Sequence, residues 1–126
     1  MVGIVIVSHS QKLAEGVVEI SKMMAANAPI AAAGGLEDGS LGTSYEKILA
    51  AVEKIYSADG VMILMDMGSA VMTTEIVLED LEKPNVKMID CPLVEGAVLA
   101  AVESIGGKSL EEISQRMEEA RTMKKF

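Results

Sequence analysis

An α/β domain built on a parallel sheet is expected for this chain, and three observations carry that expectation. Short runs rich in β-branched residues recur along the sequence. Each is followed by a stretch with helical spacing of apolar residues. The connections after the runs are rich in glycine and serine. Strict alternation of strand and helix places helices on both faces of a parallel sheet, through right-handed crossovers. In such folds chemistry sits outside the carboxyl ends of the strands, where strand order reverses.

The elements follow in order. Val2 to Val7 is β-branched and apolar apart from Gly3, as suits a central strand covered on both faces. A helix comes next, with Leu13, Val17, Ile20 and Met24 as its expected core-facing stripe. Ile30 to Ala33 is a second strand, and Gly34 to Ser44, GGLEDGSLGTS, is a glycine-rich loop. Ser44 or Thr43 caps the following helix, which carries Ile48, Ala51, Val52 and Ile55 on one face. Gly60 to Met65 is a third strand, ended by DMGS, and a helix is expected from about Ala70 to Leu81. Pro84 and Asn85 turn the chain into a fourth strand, Val86 to Asp90. A helix from about Leu93 to Ser104 ends at Gly106 and Gly107, and Ser109 with Glu112 forms a capping-box pattern for a last helix. No repeat and no low-complexity linker divides the chain, so residues 1–126 read as one domain.

Composition narrows the function classes. The chain has 126 residues, 50% of them hydrophobic, enough for one well-cored domain. Aromatics are only 2%, so aliphatic side chains and the ten methionines are expected to fill the core. A net charge of −8 argues against nucleic acid, whose phosphates need clustered Lys and Arg, and suits a basic protein partner. Cys91 is the sole cysteine, cannot form an internal disulfide, and reads as a buried small hydrophobe. No apolar run approaches the roughly 18 residues of a membrane span. The N-terminus lacks the basic flank and cleavage site of a signal peptide, so a cytoplasmic location is expected.

The loop of Gly34 to Ser44 has the small residues of a phosphate cradle, but it lacks the lysine of a P-loop, and no G-x-G-x-x-G follows the first strand. No nucleotide or other cofactor is therefore expected. One histidine and one cysteine make no metal-ligand set. A serine nucleophile fits poorly too: G-x-S-x-G is absent, and Ser8 and Ser10 adjoin the only imidazole, where side-chain directions diverge.

That imidazole, His9, is the remaining nucleophile. A neutral ring nitrogen can attack a phosphoryl group and hold it as a phosphoramidate. The chemistry needs a fixed tautomer, so a carboxylate or carbonyl should bind the other ring nitrogen. Asp66, ending the third strand, is the natural orienter. Donors for the phosphoryl oxygens are expected from the helix start at Ser10, from the backbone of Gly39, Gly42, Thr43 and Ser44, from Gly68, and from the hydroxyls of Thr43 and Ser69. Met67, past the end of the strand, is expected to be exposed on a partner surface, with burial in the core as its alternative. Position alone leaves open a plain loop or capping histidine at His9.

Four motifs in this order, IVIVSHSQKLAEGV, DGSLGTS, ILMDMGSA and CPLVEGAV, resemble the phosphotransferase subunits of phosphoenolpyruvate-dependent dihydroxyacetone kinases, a branch of the mannose-type IIA class of the sugar phosphotransferase system. The resemblance extends to about Ser104. It implies a four-stranded parallel sheet in order 2-1-3-4, a homodimer, and a phosphorylated histidine at the end of the first strand, here His9. It implies that the carrier HPr donates the phosphoryl group to His9, and that His9 passes it to ADP on a nucleotide-binding kinase subunit. A further subunit holds dihydroxyacetone. Serines flank His9, as in the kinase branch, where transporter domains have glycine. The end, SLEEISQRMEEARTMKKF, reads as helix where transporter domains add a swapped strand. Some members carry fused carrier domains; a separate carrier is expected here. Alternatives are a IIA component serving a mannose-type sugar permease and a regulatory binding module without turnover.

Overall fold

The computed structural model describes residues 1–126. In chain order it forms β1 (Gly3–Ser8), α1 (Gln11–Met24), β2 (Ile30–Gly34), α2 (Tyr45–Ile55), β3 (Val61–Met65), α3 (Ser69–Leu81), β4 (Val86–Ile89), α4 (Leu93–Ile105) and α5 (Leu110–Ala120). The sheet is wholly parallel, in the order β2-β1-β3-β4. Every residue of β1 is buried, as a continuous apolar run at the centre of a parallel sheet requires.

Side chains alternate across the sheet with the period of two that a strand imposes. Ile4, Ile6, Met62 and Leu64 point into one layer, shared with α1, α4 and α5. Val5, Val7, Val61 and Ile63 point into the other, shared with α2 and α3. The capping box of Ser109 and Glu112 starts α5 as the sequence suggests. Helix α3 begins at Ser69, one residue earlier than expected, and β4 stops at Ile89, short of Asp90.

Two expectations about packing need correction. Of the expected stripe Val17 is buried, but Leu13, Ile20 and Met24 do not face the core: they are 44%, 43% and 59% exposed, and Ala14 and Ser21 are buried in their place. The cause is the closeness of α1 to β2. A Cβ at Gly34 would lie 2.4 Å from the Ser10 carbonyl oxygen and 2.7 Å from the Ala14 Cβ. Only small side chains fit beneath the helix, so its bulky residues turn to the flank. The methionines, likewise, are mostly not core. Met62 and Met117 are fully buried, whereas Met1, Met23, Met24, Met67, Met72 and Met123 are exposed. Ile, Val, Leu and Ala fill the two layers.

From β1 the chain leaves through α1 to β2 on one side, and from β2 it returns through α2 to β3 on the other. The carboxyl ends of β1 and β3 therefore flank the point where strand order reverses.

Candidate functional site

Parallel pairing of Val7 with Met65 continues one step past the strands, where the Asp66 N–H donates to the Val7 carbonyl at 3.1 Å. This sets the Asp66 carboxylate beside Ser8 and His9. Its Oδ2 accepts from the Ser8 hydroxyl at 2.9 Å and from the His9 N–H at 3.0 Å. Its Oδ1 lies 3.1 Å from His9 Nδ1 and accepts from the Met67 N–H at 2.7 Å. Burial pushes the Asp66 carboxyl up, but hydrogen bonds from the His9 N–H, the Ser8 hydroxyl, the Met67 N–H and the His9 ring outweigh it and hold the group below its ordinary value. An ionised carboxylate only accepts, so Nδ1 carries the ring proton and Nε2 keeps its lone pair.

That lone pair meets the Ser69 hydroxyl at 2.7 Å. Ser69 Oγ lies 3.4 Å from Thr43 Oγ1, which lies 3.1 Å from Thr73 Oγ1. The loop after β2 is fastened to the His9 segment by two bonds: the Gly42 N–H donates to the His9 carbonyl at 2.8 Å, and the Gly35 N–H to the Ser8 carbonyl at 3.1 Å. Three connections, after β1, β2 and β3, thus converge on Nε2.

The donors differ from expectation. The Ser10 hydroxyl caps α1 by accepting from the Leu13 N–H at 3.1 Å, and the Ser10 N–H donates to Ser8 Oγ at 3.0 Å, so of the two groups only the hydroxyl proton is left uncommitted. Helix α3 has no side-chain cap; Gly68 takes φ 52 and ψ −118 there, and the N–H groups of Gly68 and Ser69 have no acceptor in the chain. Ser44 makes no hydrogen bond to His9, Asp66 or Ser69. It is the N-cap of α2, accepting from the Lys47 N–H at 3.2 Å and donating to Glu37. Gly39 lies in the loop's own turn, its N–H bonded to the Leu36 carbonyl at 2.9 Å, and makes no contact with His9. Met67 is 66% exposed beside Asp66.

Two hydroxyls at the site fell outside the sequence-based set. Ser8 is fully buried and holds Asp66; its signal was a polar residue closing an otherwise apolar strand. Thr73 stands four residues beyond Ser69, the spacing that puts two residues on one helix face.

The His9 side chain is 28% exposed, so its ring can be reached from solvent. Residues 36–46 and 66–82, which frame it, contain no Lys or Arg. Leu41 and Met72 join Met67 as exposed apolar side chains on these two segments. An oriented imidazole whose Nε2 lone pair meets a chain of hydroxyls has the nucleophile and donors to take up a phosphoryl group from a partner that covers it. Elsewhere, no group of three or more His, Cys, Asp or Glu side chains is gathered that could hold a metal ion, and no helix is long and apolar enough to cross a membrane.

Comparison with known proteins adds four findings. The family model EIIA-man, described as PTS system fructose IIA component, matches residues 3–114. The PTS-dependent dihydroxyacetone kinase phosphotransferase subunit DhaM of Lactococcus lactis is 37% identical over 92% of this chain and 93% of its own length. The PEP-dependent dihydroxyacetone kinase phosphoryl donor subunit DhaM of Escherichia coli is 38% identical over 90% of this chain, which spans only 25% of that longer relative. Among solved structures, one described as unknown function protein EF1359 superposes with a TM-score of 0.84 at 29% identity, covering 100% of this chain and 99% of the other.

Proposed function

The chain belongs to the EIIA-man family, as a DhaM-type phosphoryl donor subunit, and we propose that within it His9 Nε2 accepts a phosphoryl group from phosphorylated HPr and passes it to ADP held on the nucleotide-binding subunit of dihydroxyacetone kinase. The single observation that carries this reading is the Asp66 carboxylate on Nδ1, which leaves Nε2 unprotonated against the Ser69 and Thr43 hydroxyls.

In the first handover the N–P bond on the carrier breaks as one forms on Nε2. The Ser69 hydroxyl, which donates to the lone pair in the free protein, turns to donate to a phosphoryl oxygen, joined by Thr43 and by the N–H groups that start α3. Asp66 keeps Nδ1–H and meets the positive charge that grows on the ring. In the second handover a β-phosphate oxygen of ADP attacks, the N–P bond breaks, and ATP forms on the partner. Dihydroxyacetone, on a further subunit, is phosphorylated by that ATP.

Both partners must reach the same nitrogen, so both cover the same surface. Leu41, Met67 and Met72 give it an apolar centre, and the lack of Lys and Arg around it favours partners that bring basic residues. A second copy of the chain suits the opposite side of the sheet, where α1 leaves Leu13, Ile20 and Met24 exposed and α4 leaves Val94, Val102 and Ile105. The relatives named as dihydroxyacetone kinase subunits favour a kinase over a sugar permease as the final acceptor.

The test is incubation with phosphoenolpyruvate, enzyme I and HPr. Wild-type protein gains one acid-labile phosphate, and His9→Gln gains none while melting at the same temperature. Phosphate uptake by His9→Gln would overturn the assignment. A dimer that turns monomeric with Val102→Glu would fit the α1–α4 surface, whereas a monomeric wild type would refute it.

A further inference from the structure

We propose that Thr73, which makes no hydrogen bond to His9, is a positioning residue that fixes the Thr43 hydroxyl beside Ser69, the partner of His9 Nε2. The proposal rests on the reading of His9 as phosphoryl acceptor and extends it to a residue outside the first ring of groups. Thr73 and Thr74 are neighbours on α3, yet their hydroxyls have different fates. Thr74 is buried and donates back to the Ala70 carbonyl at 2.6 Å, the usual resort of a helical threonine. Thr73 forgoes that bond. Its Oγ1 reaches 3.1 Å to Thr43 Oγ1, across 30 residues of sequence. It is the nearest partner Thr43 has, since Ser69 Oγ stands at 3.4 Å.

The need for such a tether follows from where Thr43 sits. It succeeds Gly42, whose φ is 146°, and precedes Ser44, the cap of α2. Backbone bonds on either side hold the loop, but they leave the Thr43 side chain free to rotate. Ser69 and Thr73 occupy one face of α3, a turn apart, and together they bracket Thr43 Oγ1. Removing the Thr73 hydroxyl leaves Thr43 to turn toward water between encounters, and orientation is then lost from every handover.

A double-mutant cycle tests this, with Thr73→Val and Thr43→Val alone and combined, in single-turnover transfer from phosphorylated HPr. Thr73→Val should slow transfer at saturating donor roughly 3- to 10-fold, the worth of one neutral hydrogen bond, with little change in the donor concentration for half-maximal rate. Thr73→Ser should keep the wild-type rate. In the Thr43→Val background, Thr73→Val should change nothing further, because it acts through Thr43. A wild-type rate in Thr73→Val, or a further slowing when it is added to Thr43→Val, overturns the proposal. Absence of any uptake by the wild type would instead refute the reading of His9 on which it rests.

Discussion

Helices α1 and α3 both start at the reversal of strand order, and they start in opposite ways. At α1, Ser10 has extended backbone and its hydroxyl takes the Leu13 N–H. At α3, Gly68 holds a backbone conformation that other residues rarely adopt, no side chain caps the helix, and two N–H groups stay unpaired. One start is closed by its own side chain and the other keeps its donors free, as the positive end of a helix can serve either a side chain or a ligand. Asp66 stands between them, accepting from the His9 N–H that leads to α1 and from the Met67 N–H that leads to α3.

Breaking that shared group has the largest expected effect. Asp66→Asn replaces an acceptor by an amide that cannot satisfy every donor around it. Transfer should slow by roughly one to three orders of magnitude, less than the four seen when an orienting carboxylate serves a base in a triad. The same group sets a pH limit. Its native value lies below the ordinary 3.8, so its contribution to stability is complete above 3.8 and disappears as pH falls through the native value. Urea midpoints of the wild type should decline in that acidic window, and those of Asp66→Asn should lack this component.

Gly68→Ala comes second. Nothing lies within 4 Å of the added Cβ, so the penalty is conformational alone, about 1–3 kcal/mol in denaturant unfolding. Ser10→Ala should cost about 1 kcal/mol, by loss of the α1 cap. The smallest effect reverses sign. Gly16 lies within α1, also with nothing within 4 Å of an added Cβ, and Gly16→Ala should stabilise by about 0.5–1 kcal/mol. If Gly68→Ala proved as harmless as Gly16→Ala, the two helix starts would not differ in the way described.

Much of this was legible in the residues. The β-branched runs and the break at Asp66 located the strands, and the lone imidazole after β1 pointed to the site. Strand order came from the family resemblance, since alternation alone leaves several orders open. The α1 stripe misled because helical spacing reports an apolar flank without saying which flank meets the sheet; that depends on the close approach at Gly34. The split between Ser44 as cap and Thr43 as neighbour of Ser69 rests on one residue of register, finer than spacing resolves. Thr73 escaped because its partner is distant in sequence. Cys91, read from composition as a buried small hydrophobe, is only half-buried, and that burial, aided by Asp90, pushes its thiol up to about 11.

Gly34 makes contact with neither His9 nor Asp66, yet it sets the clearance between strand and helix at the residue after the histidine. Anyone transplanting this arrangement onto another parallel sheet would have to copy more than the side chains around the imidazole. A scaffold with alanine at the position of Gly34 would lift the Ser10 carbonyl and swing the imidazole off its carboxylate, although every recognisable motif survived. The blueprint for the site therefore includes a residue with no side chain at all, and a search restricted to functional groups would leave it out.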